Sequence, residues 1–236
     1  MQIFLWLLAL LPGLLLSYYI FFADKYERES WWPMLLSFGL GVLTTYPVLH
    51  LQIYFDDLGF DGTGSLWQTF VYALVGVALT EEIFKFFGVM IFPFHRPFFN
   101  EPMDGIVFTV LAGMGFATTE NILYAQNFGL ETVLVRAFTA VPAHGVFGVI
   151  MGYFIGLAKF EIRLGRKIWL LLQGVLFAAA LHAVYDFFIL QEVYSGLTGL
   201  ALLCLIIGIR IARHLINLHL AASPFKDARE ENTLQP

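Results

Sequence analysis

About seven stretches of this chain are dominated by apolar residues over the length of a bilayer-crossing helix: 2–22, 31–54, 66–93, 103–127, 132–158, 168–190 and 193–218. A span needs about 20 such residues. The stretches are continuous rather than alternating. In lipid only helices and closed barrels satisfy their own backbone hydrogen bonds, and barrel strands alternate. The expected fold is therefore all-α, a polytopic transmembrane helix bundle of about seven spans, with eight the nearest other count. The chain is 13% charged, against about 25% in an ordinary soluble domain, which leaves no separate soluble domain. Residues 1–222 are expected to form one polytopic membrane domain. The polar tail 223–236 is expected to be cytoplasmic and disordered. Residues 2–22 lack a basic leader and an A-x-A site, so they read as an uncleaved first span.

Charge and cysteine content exclude several classes. The net charge of −5 argues against a nucleic-acid partner. The single cysteine, Cys204, rules out an intrachain disulfide and a cysteine-based metal site. Lys and Arg sit in alternate connections: Lys25 and Arg28, then Arg96, then Lys159, Arg163, Arg166 and Lys167, then Arg210, Arg213, Lys226 and Arg229. The intervening connections have none, and Asp56, Asp57 and Asp61 make the first of them acidic. The positive-inside rule then puts the N-terminus outside and the C-terminus in the cytoplasm.

The third stretch carries Glu81, Glu82 and, one turn on, Lys85. Three charges at mid-bilayer cost about 8 kcal/mol, and the roughly 14 Leu, Ile, Val and Phe of that run return about 6. The span nearly breaks even and needs neighbours to shelter its charges. Intramembrane ionisable residues usually mark a functional site. More follow: Glu120 and Asn121 in the fourth stretch, which begins near Asp104, His144 in the fifth, and His182 with Asp186 in the sixth. On the fifth, Ala140, His144, Gly148, Gly152 and Gly156 make one stripe, a doubled G-x-x-x-G that turns His144 toward a neighbouring helix. On the sixth, Gly174, Ala178, His182 and Asp186 repeat the pattern, and the last two can meet at i and i+4. Glu81 and Glu82 fall near the midplane. Glu120, His144 and His182 fall in the outer half within about 10 Å of one level. One polar site between spans three and six, open to the outer leaflet, is expected.

A carboxylate that activates water, with histidines to orient or coordinate it, is a minimal kit for amide hydrolysis. Adjacent helical residues point about 100° apart, so one of Glu81 and Glu82 can face water while the other pairs with Lys85. His144, His182 and Glu120 could hold Zn²⁺, although H-E-x-x-H is absent. A metal-free site with a Glu base and His or Asn donors stands equally open. Intramembrane Glu, His and Asp chains also build proton- or ion-coupled transporters. Those usually show inverted repeats, and none is evident.

Four motifs then carry a resemblance: Thr80-Glu81-Glu82-Ile83-Phe84-Lys85; Glu101-Pro102-Met103-Asp104-Gly105 on to Gly115-Phe116-Ala117-Thr118-Thr119-Glu120-Asn121; Arg136 with Pro142-Ala143-His144; and Leu181-His182-Ala183-Val184-Tyr185-Asp186. In this order, over about 75–190, they resemble the PrsW family of intramembrane proteases. That family is similar to the group of CAAX prenyl endopeptidases and bacteriocin-processing proteins. There F-x-x-x-H stands where this chain has Phe116-x-x-x-Glu120. The resemblance implies peptide-bond hydrolysis in or near a bacterial cytoplasmic membrane, site-1 cleavage of a single-span substrate such as an anti-sigma factor, and a role in stress-response signalling. It implies Glu81, Glu82 and His182 as catalytic residues, with His144, Glu120 and Asp186 beside them.

Each polar residue also has a purely structural reading. Glu81, Glu82 and Lys85 could be an interhelical ion pair, His182 and Asp186 an intrahelical hydrogen bond, and Glu120 and Asn121 interhelical glue. His144 could pack beside a kink at Pro142, and Asp104 could cap a helix start. Arg136 is expected to snorkel at the outer interface. His50, His95, His214 and His219 are expected to be solvated.

Overall fold

The computed structural model describes residues 2–227. Of the tail, 223–227 is described and 228–236 lies outside. About 85% of the chain is helical, with no strand among the described residues. The helices are α1 (Gln2–Ala23), α2 (Trp31–Asp57), α3 (Leu66–Val71), a π-helical segment (Tyr72–Leu79), α4 (Thr80–Ile91), α5 (Pro102–Phe138), α6 (Ala140–Phe160), α7 (Leu164–Leu190) and α8 (Thr198–Ala221). Five stretches are long and apolar enough to cross a membrane, one of them the 59-residue run Pro102–Phe160. Leu7, Leu43, Ile91 and Trp169 stand exposed on the outside, a surface suited to lipid. The chain is a multi-pass membrane protein.

The N-terminal half of α5 is the axis of the bundle. Every residue from Met103 to Thr118 is buried, which requires neighbours all round. Those neighbours are α1, α2 and α6. Glycine lets the backbones touch. A methyl group at Gly115 would come within 1.9 Å of the Phe38 carbonyl oxygen on α2, and one at Gly152 within 2.4 Å of the Gly105 oxygen. The Gly148, Gly152 and Gly156 stripe of α6 therefore lies on α5, and His144 continues that line.

Two irregularities aim the polar residues. The chain from 66 to 91 is one helical rod, widened to π geometry over Tyr72–Leu79 immediately before Thr80. Thr80 Oγ1 donates to the Val75 carbonyl, five residues back, at 2.9 Å. π turns occur often at functional sites. α7 lies across this segment on small residues, Ala78 against Ala179 and Ala183, close enough for His182 to reach α4. The second irregularity is Gly129, with φ 80° and ψ −162°, a conformation open essentially to glycine alone. There α5 breaks, and 130–138 folds back as a short helical arm.

This corrects the expected start of the fifth span. The long apolar helix begins at Ala140, after a second break at Thr139, rather than at 132. Pro142 consequently lies in the first turn of α6, where it opposes no hydrogen bond, and kinks nothing. His219 is buried, stacked on Tyr153 with ring centroids 4.5 Å apart and bonded to the Tyr153 carbonyl at 2.9 Å. The expectation of a solvated His219 fails because α8 turns this face onto α6.

Candidate active site

Lys85 is the hub. Its Nζ lies 3.1 Å from Glu81 Oε2, 2.8 Å from Glu82 Oε1 and 3.0 Å from His144 Nδ1. An ammonium has three N–H donors and no acceptor, so all three are spent. His144 Nδ1 must accept, which leaves the proton on Nε2. That N–H donates to Glu120 Oε2 at 3.0 Å, and Arg136 holds the same oxygen at 3.1 Å. The Lys85 ammonium also lies 4.2 Å from the centre of the Phe116 ring, within cation–π range.

His182 joins the cluster from α7. Its Nδ1 is 3.0 Å from Glu82 Oε1, and its Nε2 is 3.1 Å from Asp186 Oδ2 and 3.9 Å from Glu81 Oε2. Phe147 stacks on the ring at 4.5 Å between centroids, which fixes its plane. Glu81, Glu82, Lys85, His144 and His182 are all buried.

The two glutamates differ in what they face. Glu81 lines a cavity of about 180 Å³ together with Glu120, His144, His182 and Asp186, and Gln52 of α2 donates to its Oε1 at 3.3 Å. Glu82 is absent from the cavity wall; its contacts are Lys85 and His182. The cavity is large enough for several waters. It lies toward the end of the bundle where α2 ends and α7 ends, since Gln52, Tyr72 and Leu190 also line it.

Six expected residues thus gather at one place: Glu81, Glu82, Glu120, His144, His182 and Asp186. Asn121 turns away and donates to the Ala9 carbonyl of α1 at 3.1 Å. Asp104 accepts the backbone N–H groups of Asn100 and Glu101, both at 2.8 Å, and begins α5. Sequence reasoning missed Arg136 as a site residue, because near the start of the expected fifth span it reads as a cation snorkelling at the outer interface. The Gly129 break folds it back. Gln52, Tyr124 and Tyr185 also line the cavity. Tyr185 stands between His182 and Asp186 in the sequence, and its hydroxyl is buried near Thr139 without a well-formed hydrogen bond among the described residues.

Comparison with known proteins adds an independent line. The profile of a family described as "PrsW family intramembrane metalloprotease" matches residues 29–211. The chain is 37% identical over 195 residues to Protease PrsW of Geobacillus kaustophilus, covering 81% of this chain and 84% of that one. It is 37% identical over 176 residues to Protease PrsW of Bacillus subtilis, covering 75% and 78%. The protein of the same name from Clostridioides difficile is 31% identical over 198 residues, covering 81% and 82%. No solved structure matches.

Proposed function

Because this chain belongs to the PrsW family of intramembrane proteases, we propose that it hydrolyses a peptide bond of a membrane-anchored protein with a water activated by Glu81. The observation that carries this reading is the asymmetry of the glutamate pair: Glu81 lines the cavity and Glu82 does not. Glu81 takes the proton as the water oxygen attacks the carbonyl carbon, and passes it to the leaving amine as the C–N bond breaks. Glu82 is the anchor that sets the positions of Lys85 and His182. Donors for the oxyanion come from Arg136 and the Tyr185 hydroxyl, which line the same cavity, while both ring nitrogens of His182 are held by Glu82 and Asp186.

The residues also fit a divalent metal in donor type and reach. Ligand atoms of Glu81, Glu82, His144 and His182 lie within 4.8 Å of one another, the mixture of imidazole and carboxylate that zinc accepts. Glu120, expected among the ligands, is one hydrogen bond outside that group. A bound ion would polarise the carbonyl or the water. Lys85 already satisfies three of the four residues, so ion and ammonium compete for the same atoms.

The substrate proposed is a single-span protein, such as an anti-sigma factor, cut near one membrane face. The cavity opens at the end that carries connections 58–65 and 191–197, which hold no Lys or Arg. The positive-inside rule makes that the outer face of a bacterial cytoplasmic membrane. Arg136 belongs to the same end but is neutralised by Glu120. The test is cleavage of a single-span substrate by purified protein in detergent. Glu81→Gln should abolish it, and Glu81→Gln turning over at the wild-type rate would remove the proposal.

A further inference from the structure

A second polar cluster lies at the other end of α5, about 24 Å from Glu120 along the helix. The connection between α1 and α2 lays Asp24, Glu27 and Glu29 against the start of α5. Ligand oxygens of Asp24, Glu101 and Asp104 lie within 4.8 Å of one another, as do those of Glu27, Glu29 and Asp104. Asp24 is 1% exposed, Glu29 6%, and Glu101 and Asp104 0%. Among the described residues no Lys or Arg nitrogen lies within 4.0 Å of any of these carboxylates. The nearby cations are engaged elsewhere. Arg28 bonds the Asp24 backbone carbonyl at 3.2 Å and covers the Phe22 ring at 4.8 Å, and Lys159 bonds the Phe94 carbonyl.

Helix capping explains one oxygen of this cluster. Asp104 Oδ2 accepts two backbone N–H groups, and the Ser223 hydroxyl donates to Glu101 Oε2. Both oxygens of Asp24, one each of Glu27, Glu29, Glu101 and Asp104, and the neutral Asn100 side-chain oxygen remain buried without a partner. Those are seven oxygens that meet no N–H or hydroxyl donor among the described residues, only one another's carboxyl groups. A buried uncompensated carboxylate costs several kcal/mol, and a helix N-terminus returns only about 0.3–1. Asp24 is the most telling residue: it is 1% exposed, and the side-chain group within hydrogen-bond reach is another carboxylate, Glu101, so while ionised neither of its oxygens meets a donor. Six to eight oxygen ligands, with no nitrogen or sulfur, are what Ca²⁺ takes; Mg²⁺ accepts the same donors but keeps more water.

We propose that Asp24, Glu27, Glu29, Glu101 and Asp104, with the Asn100 side-chain oxygen, bind a hard divalent cation of the Ca²⁺ and Mg²⁺ class that ties the α1–α2 connection to the start of α5. The rival neutraliser is the proton. Burial first, and neighbouring carboxylates second, push Asp24 up to about 8 and Glu29 up to about 9.

The experiment uses the full chain in detergent, stripped with chelator at neutral pH. Binding of ⁴⁵Ca²⁺ by equilibrium dialysis is measured alongside thermal unfolding, with Mg²⁺ as competitor. One saturable Ca²⁺ per chain, with a melting temperature that rises along the same isotherm, is expected. Displacement by Mg²⁺ at comparable concentration would make Mg²⁺ the occupant, and its failure to compete would make it Ca²⁺. Asp24→Asn keeps the side chain's size and loses no hydrogen bond, and it should weaken binding at least about tenfold. Should it aggregate, Glu29→Gln serves the same purpose. Glu81→Gln should bind as wild type does. No binding of either ion up to about 10 mM, unchanged affinity in the Asp24 and Glu29 variants, or loss of binding in Glu81→Gln would each overturn the proposal.

Discussion

Lys85→Met is the sharpest perturbation of the candidate active site. It keeps a long apolar stem in the same space and removes only the ammonium. That ammonium holds Glu81 Oε2 at 3.1 Å, Glu82 Oε1 at 2.8 Å and His144 Nδ1 at 3.0 Å. All three partners are buried, so solvent screening does not soften the loss. Removing one partner of a buried pair costs about 3–5 kcal/mol, because it strands the other charge. For a chain of this length that is a fall of about 6–20 °C in melting temperature. Tryptophan fluorescence during a fixed-rate thermal ramp in detergent would read it. Lys85→Met with Glu82→Gln restores the net charge of the cluster and should recover most of the loss, since replacing both members of a buried pair is often nearly neutral. The freed donors should also bind Zn²⁺ more tightly than wild type does, measured as bound metal by mass spectrometry. If the single variant melts within about 2 °C of wild type in the presence of chelator, Lys85 is not the hub described here. If the double variant is no more stable than the single, the coupling to Glu82 is absent.

Glu82→Gln should lower turnover less than Glu81→Gln while destabilising the fold more, because Glu82 holds Lys85 and His182 rather than facing the cavity; paired kinetics and melting curves would show it. Arg136→Gln should reduce kcat and leave the helical circular dichroism unchanged, since it unties the arm from Glu120 without touching the bundle axis. Gly129→Ala places a Cβ in a backbone conformation essentially reserved for glycine, and should cost about 1–3 kcal/mol. Hydrogen exchange should rise first in the 130–138 arm. Tyr185→Phe removes one hydroxyl and, if that group serves the oxyanion, should lower kcat about tenfold or more without changing KM.

What could be read from residues alone was whatever local periodicity encodes. The Gly148, Gly152 and Gly156 stripe and the His182 and Asp186 pair are i, i+4 patterns, and the structure sets both on the expected helix faces. Spacing of that kind survives folding because a helix is rigid over a few turns. Arg136 escaped for the opposite reason. Its partner Glu120 is 16 residues away, and only the glycine break at Gly129 brings them together. The apolar pattern marks a connection at 128–131, but not that 130–138 turns back as a short arm ending in a second break at Thr139, so Arg136 reads as an interfacial residue of the next span. Glu81 and Glu82 show the same limit at finer scale. Their 100° separation said that the two must differ, but the choice between them depends on the π-helical turns before Thr80 and on the Ala78 contact with Ala179 and Ala183. Such widening is set by how α7 packs across the segment, which no periodicity within 66–93 records.

The motif Glu101-Pro102-Met103-Asp104-Gly105 makes the point in reverse. Read locally it is a helix start, and Asp104 does cap α5. Nothing in a helix start requires Glu101 to be fully buried, or Asp24 to approach it from a different connection. The excess of acid over what capping needs becomes visible only when the α1–α2 connection is folded against α5. The two ends of this helix then pose one electrostatic problem with two answers. At the cavity end, three carboxylates on α4 and α5 are met by Lys85 and Arg136. At the other end no side-chain cation among the described residues approaches the acids. A protein that neutralises one cluster with its own lysine and leaves an equally buried one bare requires a counter-charge from solution. A metal ion can supply it, and so can protons at any pH below the raised values of Asp24 and Glu29, about 8 and about 9, so ion binding and proton release are coupled at this end of α5.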